Sequence, residues 1–284
     1  MNVTTAIIFA SGFGTRMLPI TAAVQKELLP VLNRPVIDYV VDDCVRGGIK
    51  RIIFVVRPGT HALQDYYLGS PSLEQHLERF GKAEAIKLLK SVHHQAVFEF
   101  IEQPADAGYG TAVPVRVVRP HLGPDEAVVV CGGDDFLFHA DGTSEIGNLI
   151  KAFQSTDAAG AVTVLERPDS ELHRYGVVQT RPSQDSLLLE DLIEKPSPGT
   201  APSNLINIGK YVMTPQMLDY VDQLERDTKS GEYYLTDAVL ACAKKYPVVV
   251  HPAGGQHLDA GNMAGWIEAN RVVGEASQPA IKNA

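Results

Sequence analysis

AIIFASGFGTRMLP, residues 6–19, carries an apolar run straight into Ser-Gly-Phe-Gly-Thr-Arg. A buried strand opening into two glycines suits a loop whose main-chain N–H groups approach an anion without interference from Cβ. A tight turn at positive φ accounts for the glycines equally well, so the flanking sequence has to choose. Two specific readings fail at once. Met17 stands where a dinucleotide fingerprint needs its third glycine, and no Gly-Lys-Ser/Thr follows to make a P-loop.

Outward from that stretch, short β-rich runs alternate with helical stretches up to about residue 166. The runs are TTAIIFA (4–10), RIIFVV (51–56), AVFEFIEQ (96–103), EAVVVCG (126–132) and AAGAVTVLE (158–166). Continuous and β-branched, they predict strands covered on both faces, as in a parallel sheet. Between the first two lies PVIDYVVDDCVRGG, with Pro35 suited to the first helical position and Ile37, Val40, Val41, Cys44 and Val45 on one stripe. Gly47-Gly48 then ends the helix. Repetition of this βαβ unit predicts an α/β fold, a Rossmann-like three-layer sandwich about a mostly parallel central sheet.

The rhythm changes after residue 166. RYGVVQT (174–180), SLLLEDLIEKP (186–196) and NLINIGKYVMT (204–214) read as strands separated by turns such as SPGTAPS. Helices return at TPQMLDYVDQL, with Thr214 as N-cap and Pro215 at N1, at LTDAVLACAKK and at AGWIEANRVVG. Without an internal repeat or long linker, residues 1–284 are expected to form a single domain. It would have a first half over about 4–140, a β-rich second half over about 141–272 and a short C-terminal tail.

A net charge of −9, from 34 acidic and 25 basic residues, argues against a nucleic-acid partner. Local Lys, Arg or a metal can still reverse the field within a cleft. Cys44, Cys131 and Cys242 form no CxxC pair, so neither a zinc site nor a disulfide framework is indicated. The histidines make no HExxH motif, and His93-His94 reads as a solvated loop pair. No apolar run approaches the roughly 20 residues that span a bilayer. The start MNVTTAIIFA lacks the basic region of a signal peptide, so a cytoplasmic location without a membrane partner is expected.

Chemistry concentrates at strand ends. Arg16, directly after the glycines, suits bidentate contact with phosphate oxygens. VVVCGGDDFLF (128–138) ends an apolar strand in Gly-Gly-Asp-Asp, and carboxylates there suit Mg²⁺, which takes oxygen ligands and keeps several waters. Asp beside Gly is also ordinary turn chemistry.

The ordered series GFGTRMLP (12–19), KELLP (26–30) and NRPVI (33–37) resembles the opening signature of sugar-1-phosphate nucleotidyltransferases. The likeness is strongest to bacterial UTP–glucose-1-phosphate uridylyltransferases and looser to glucose-1-phosphate thymidylyltransferases, and it runs from about residue 4 to about residue 272. It implies the nucleotidyltransferase fold and Mg-dependent transfer of a uridylyl group from UTP to glucose 1-phosphate, giving UDP-glucose and pyrophosphate. The resemblance assigns Ala10, Ser11, Gly12, Gly14 and Thr15 to the nucleotide loop, and Arg16 and Lys26 to the triphosphate. EQPADAGYGTA (102–112) resembles the base-reading stretch, with Gln103 offering an amide donor and acceptor to uracil and Gly108 lying against the base. Asp134 and, from HLDAGN (257–262), Asp259 match the metal ligands, with Asp135 a neighbour of the first. Gly176, Glu194, Lys195 and Asn207 match the sugar-phosphate pocket, Lys195 neutralising the acceptor phosphate. A homodimer or homotetramer is also implied.

Three departures stand out: Ser11-Gly12 for the usual Ala-Gly, TAAVQKE (21–27) short of one Lys and one Pro, and Gly-Tyr-Gly-Thr-Ala (108–112) for G-x-G-H-A. They keep dTTP or another sugar 1-phosphate as an alternative. A non-catalytic sugar-nucleotide-binding regulator and a nicotinamide-dependent oxidoreductase are the competing classes. The joint presence of Lys26, Asp134, Lys195 and Asp259 favours catalysis, since a pure binder needs no such set.

Overall fold

The computed structural model describes residues 1–93, 96–183 and 186–281. Its strands are β1 (Val3–Ala10), β2 (Pro30–Val31), β3 (Arg34–Pro35), β4 (Arg51–Val56), β5 (Val97–Glu102), β6 (Ala127–Gly132), β7 (Asp135–Phe138), β8 (Gly160–Glu166), β9 (Gly176–Ser183), β10 (Ser186–Glu194), β11 (Leu205–Met213), β12 (Val248–Pro252) and β13 (Gln256–Asp259). The helices are α1 (Val36–Arg46), α2 (Ala62–Leu68), α3 (Pro71–Arg79), α4 (Ala83–His93), α5 (Val113–Val118), α6 (Glu145–Gln154), α7 (Pro215–Asp222), α8 (Leu235–Ala243) and α9 (Met263–Ile281).

A nine-stranded sheet runs through both halves in the order β5-β4-β1-β6-β11-β8-β12-β10-β9. The first four strands are parallel neighbours. Beyond them only β11 and β10 reverse direction, so seven of the nine strands point the same way. Burial on both faces explains the uninterrupted apolar runs. In β1, Ala6 and Ile8 face a core that includes α1 and α6, while Ile7 faces a second core that includes α5, α7 and α8. Each such side chain contributes about 1.5–3 kcal/mol by leaving water. The result is the expected three-layer sandwich.

Several local expectations shift. Pro35 caps α1 from outside rather than occupying its first turn, because it pairs with Pro30 in the β2–β3 ribbon. Thr214 does cap α7, accepting from Met217 N, with Pro215 in the first turn. The RYGVVQT strand begins only at Gly176, since Tyr175 N donates to Leu172 O (3.1 Å) and closes a tight turn. Lys195, at φ 45°, ends β10. VVVCGGDDFLF is two strands, not one: the chain leaves the main sheet after Gly132, and β7 pairs antiparallel with β13, setting Asp135 opposite Asp259. His93 closes α4 rather than lying in a loop, and His94 falls outside the described residues. Cys44, Cys131 and Cys242 are buried and free. Among the described residues no helix is long and apolar enough to cross a membrane.

Candidate active site

Beyond the carboxyl ends of β1 and β6 lies a cavity of about 330 Å³, lined among others by Phe9, Arg16, Asp134, Asn207, Tyr211 and Asp259. Open α/β sheets bind ligands at this edge. The loop leaving β1 is tied down on both sides. Ser11 Oγ donates to Gln103 Oε1 (2.8 Å), linking the end of β1 to the residue after β5. Gly12 lies against the Lys26 side chain. Gly14 sits at φ 65°, a conformation costly for any residue with a Cβ, and its carbonyl accepts from Thr21 Oγ1 (2.8 Å). Thr15 opens the short turn Thr15–Met17 that carries Arg16.

Two aspartates meet above this floor. Lys26 Nζ donates to Asp134 Oδ2 at 2.6 Å. Asp259 is held by Gly261 N (2.9 Å) and Asn262 Nδ2 (3.0 Å), and its Oδ2 lies 3.8 Å from Arg16 Nη1. Gly261 shows how closely these groups converge. A Cβ there would collide with Asp134 Oδ2 and lie 2.9 Å from Arg16 Nη2 and 3.0 Å from Asp259 Oδ1. Three side chains from distant parts of the chain thus surround one point, and Lys26 joins them through Asp134. Burial disfavours the charge on Lys26, yet Asp134 and Glu27 outweigh it and hold its pKa above the ordinary lysine value. Glu27 is fully buried, neither of its carboxyl oxygens has a hydrogen-bond partner, and burial pushes its pKa up to about 7.

Asp135, next in sequence, lines the same cavity but is tied to other partners. Lys210 Nζ (2.8 Å) and His257 Nε2 (3.0 Å) both donate to it. Burial opposes its charge, but these two neighbours hold its pKa well below the usual carboxylate range. Sequence reading missed Lys210 and His257. A lysine inside the apolar strand INIGKYVM was the available signal, because a buried ammonium requires a buried partner.

On the sugar-facing side of the expectation, β9 and β10 bring Gly176 opposite Glu194. Thr236 Oγ1 donates to Glu194 Oε2 (3.1 Å), and burial raises the Glu194 pKa. Lys195 Nζ stands 3.9 Å from Glu194 Oε1 and 5.2 Å from the centre of the Tyr234 ring. Asn207 donates to the Tyr211 hydroxyl and accepts from Gly209 N (3.0 Å). The structure therefore gathers Arg16, Lys26, Asp134 and Asp259 tightly, brings Asn207 to the same cavity, and groups Glu194 with Lys195 beside the start of α8.

The stretch after Gln103 is clipped to the segment before α8. Gly108, at φ 96°, rests on the Tyr233 ring. Tyr233 N donates to Tyr109 O (2.8 Å), Ala112 N to Tyr233 O (3.0 Å), and Leu235 N to Thr111 Oγ1 (2.9 Å). Thr111, one of the departures noted above, thus has a backbone-anchoring role.

A family model described as nucleotidyl transferase matches residues 5–275. Among similar curated proteins, the UTP–glucose-1-phosphate uridylyltransferase of Bacillus subtilis (strain 168) is 35% identical over 267 residues, covering 94% of this chain and 89% of its own length. The protein of that name from Pseudomonas aeruginosa is 34% identical over 261 residues, 92% of each chain. Among solved structures, a UDP-glucose pyrophosphorylase complexed with UDP-glucose superposes with a TM-score of 0.85 at 25% identity, covering 96% of this chain and 99% of the other. A UTP-bound UGPase from Acinetobacter baumannii gives a TM-score of 0.85 at 26% identity, covering 96% and 94%.

Proposed function

Since the chain belongs to the nucleotidyl transferase family, we propose that it transfers the uridylyl group of UTP to glucose 1-phosphate, releasing pyrophosphate and forming UDP-glucose. The observation that carries this reading is the convergence of Arg16, Asp134 and Asp259 on one point beyond the strand ends, with Lys26 joined to them through Asp134.

In this reaction a phosphate oxygen of glucose 1-phosphate attacks the α-phosphorus of UTP, and the bond from that phosphorus to the bridging oxygen of the β-phosphate breaks. The attacking phosphate has a second pKa of roughly 6, so it is largely ionised at neutral pH and no general base is required. The protein's task is to orient two polyanions and offset their repulsion. Arg16 and Lys26 hold the triphosphate, and the raised pKa of Lys26 keeps its charge in place. Lys195 takes the acceptor phosphate, and Glu194 and Asn207 take sugar hydroxyls. Gln103 reads uracil with its amide held by Ser11.

Asp134 and Asp259 suit Mg²⁺: two hard oxygen donors face the space at Gly261, and that ion fills its remaining positions with waters and substrate phosphates. When bound there it would supply charge neutralisation at the phosphates. The reading extends to one cooperative unit over the whole chain, supported by the single sheet through both halves, and to a dimer or tetramer, which light scattering measures directly.

Pyrophosphate release with Mg²⁺, across UTP, dTTP, ATP, CTP and GTP and a panel of sugar 1-phosphates, tests the proposal. UTP with glucose 1-phosphate is expected to turn over fastest. Preference for another pair moves the substrate assignment while keeping the chemistry. Binding of UTP without any turnover favours the regulatory alternative.

A further inference from the structure

Behind the nucleotide loop, between residues 21–28 and 57–62, lies a second cavity of about 530 Å³. It shares no lining residue with the cavity at Asp134 and Asp259. Leu28 on its wall packs into the core that includes α1, on the opposite side of the sheet from α5.

Its chemistry is one-sided. None of its lining residues is acidic, in a chain of net charge −9, while Arg57 and His61 both line it. Among the described residues Arg57 makes no ion pair with a carboxylate within 4 Å, the buried Glu27 acting on it only at longer range, and its guanidinium stacks 5.0 Å over the Phe13 ring. Its Nε is buried without a hydrogen-bond partner. Gln25, also on the wall, is 7% exposed, and its Oε1 is likewise buried and unpartnered. Orphaned buried polar groups carry a free-energy penalty that a ligand with complementary atoms removes. An arginine offers planar, paired donors that match phosphate oxygens, and Phe13 and Leu28 supply apolar surface.

We propose that this cavity is a second ligand site, taking a small organic phosphomonoester on Arg57 with its apolar body against Phe13 and Leu28. The site goes beyond the nucleotidyl-transfer reading and stands on different residues. Because Phe13 belongs to the nucleotide loop and Gln25 precedes Lys26, an occupant would touch the loop from behind.

Calorimetric titration of phenyl phosphate into the full chain, with Mg²⁺ and saturating UDP-glucose masking the reaction site, tests the proposal. Saturable binding is expected, weakened roughly tenfold or more by Arg57→Gln. Ala62→Trp, which fills the cavity from the 57–62 wall with Arg57 intact, is expected to abolish it. Both variants should keep turnover within about twofold of the parent, which separates loss of this site from loss of the fold. Equal binding to the parent and Arg57→Gln overturns the proposal, as does the absence of saturable binding. Benzyl alcohol binding as tightly as phenyl phosphate would remove the anion requirement, and tighter binding of benzoate would overturn the phosphomonoester class. Turnover measured without phenyl phosphate tests the nucleotidyl-transfer reading separately.

Discussion

Two lysines meet two successive aspartates on one cavity, and it is the lysines that differ in their surroundings. Lys26–Asp134 (2.6 Å) stands at the cavity floor, its side chains 17% and 16% exposed. In Lys210–Asp135 (2.8 Å) the lysine is only 2% exposed, while Asp135, 19% exposed, lines the same cavity and has His257 as a second partner. The chemistry is the same, but the neighbours differ. Asp134 has one strong partner and an open side facing Arg16 and Asp259, so it can exchange Lys26 for a ligand. Asp135 has no such freedom. Adjacent carboxylates thus differ in how firmly they are held, not in whether they reach the cavity.

The sharpest way to break this comparison is to remove one member of each pair. Asp134→Asn is expected to lower turnover by about 10²–10³-fold while thermal unfolding stays near the parent's. Normal turnover in that variant would remove Asp134 from the reaction. On the other pair the loss should appear as stability. Lys210→Ala strands a buried carboxylate and is expected to cost about 3–5 kcal/mol in urea unfolding. Lys26→Ala should cost clearly less stability and more turnover. Equal destabilisation by the two would erase the distinction.

A smaller effect comes through pH. Asp135 has a depressed folded pKa, so its contribution is present above about pH 4 and fades as pH falls toward the folded value. Glu27 works in the opposite sense. Its unfolded pKa is about 4.3, whereas the folded value is about 7, so between these the folded state holds a proton that the unfolded state has lost. Stability therefore falls as pH rises from about 5 to 7 on account of this group. Glu27→Gln is expected to flatten that slope, gaining on the order of 1–3 kcal/mol over the parent at pH 8. A parallel pair of stability–pH curves would refute it.

These contrasts mark where sequence reading succeeds. RIIFVV (51–56) is the strand β4 residue for residue, because continuous β-branched runs between turn residues have few other folds available. The stripe of α1 and the cap at Thr214 are equally local signals. Asp134 and Asp259 were legible as candidates through the order of motifs, and Gly261 supplies the geometry that joins them. The assignment of Asp135 was not legible. Its partner Lys210 lies 75 residues on and His257 122 residues on, and no local pattern encodes such pairings. The β7–β13 ribbon escaped for the same reason, since a four-residue strand announces itself only through its partner.

That ribbon also fixes when the molecule becomes competent. Asp259 comes from β13, the last strand among the described residues, and reaches the cavity when β13 closes on β7. During synthesis from the N-terminus, the nucleotide loop, Lys26 and Asp134 all emerge long before their final companion. Contacts of such sequence separation form late, because the loop they close must first lose its entropy. A nascent or truncated chain holding the first half alone would carry Arg16, Lys26 and Asp134 without the second carboxylate. Under the proposed function, activity would require that this last pairing be made.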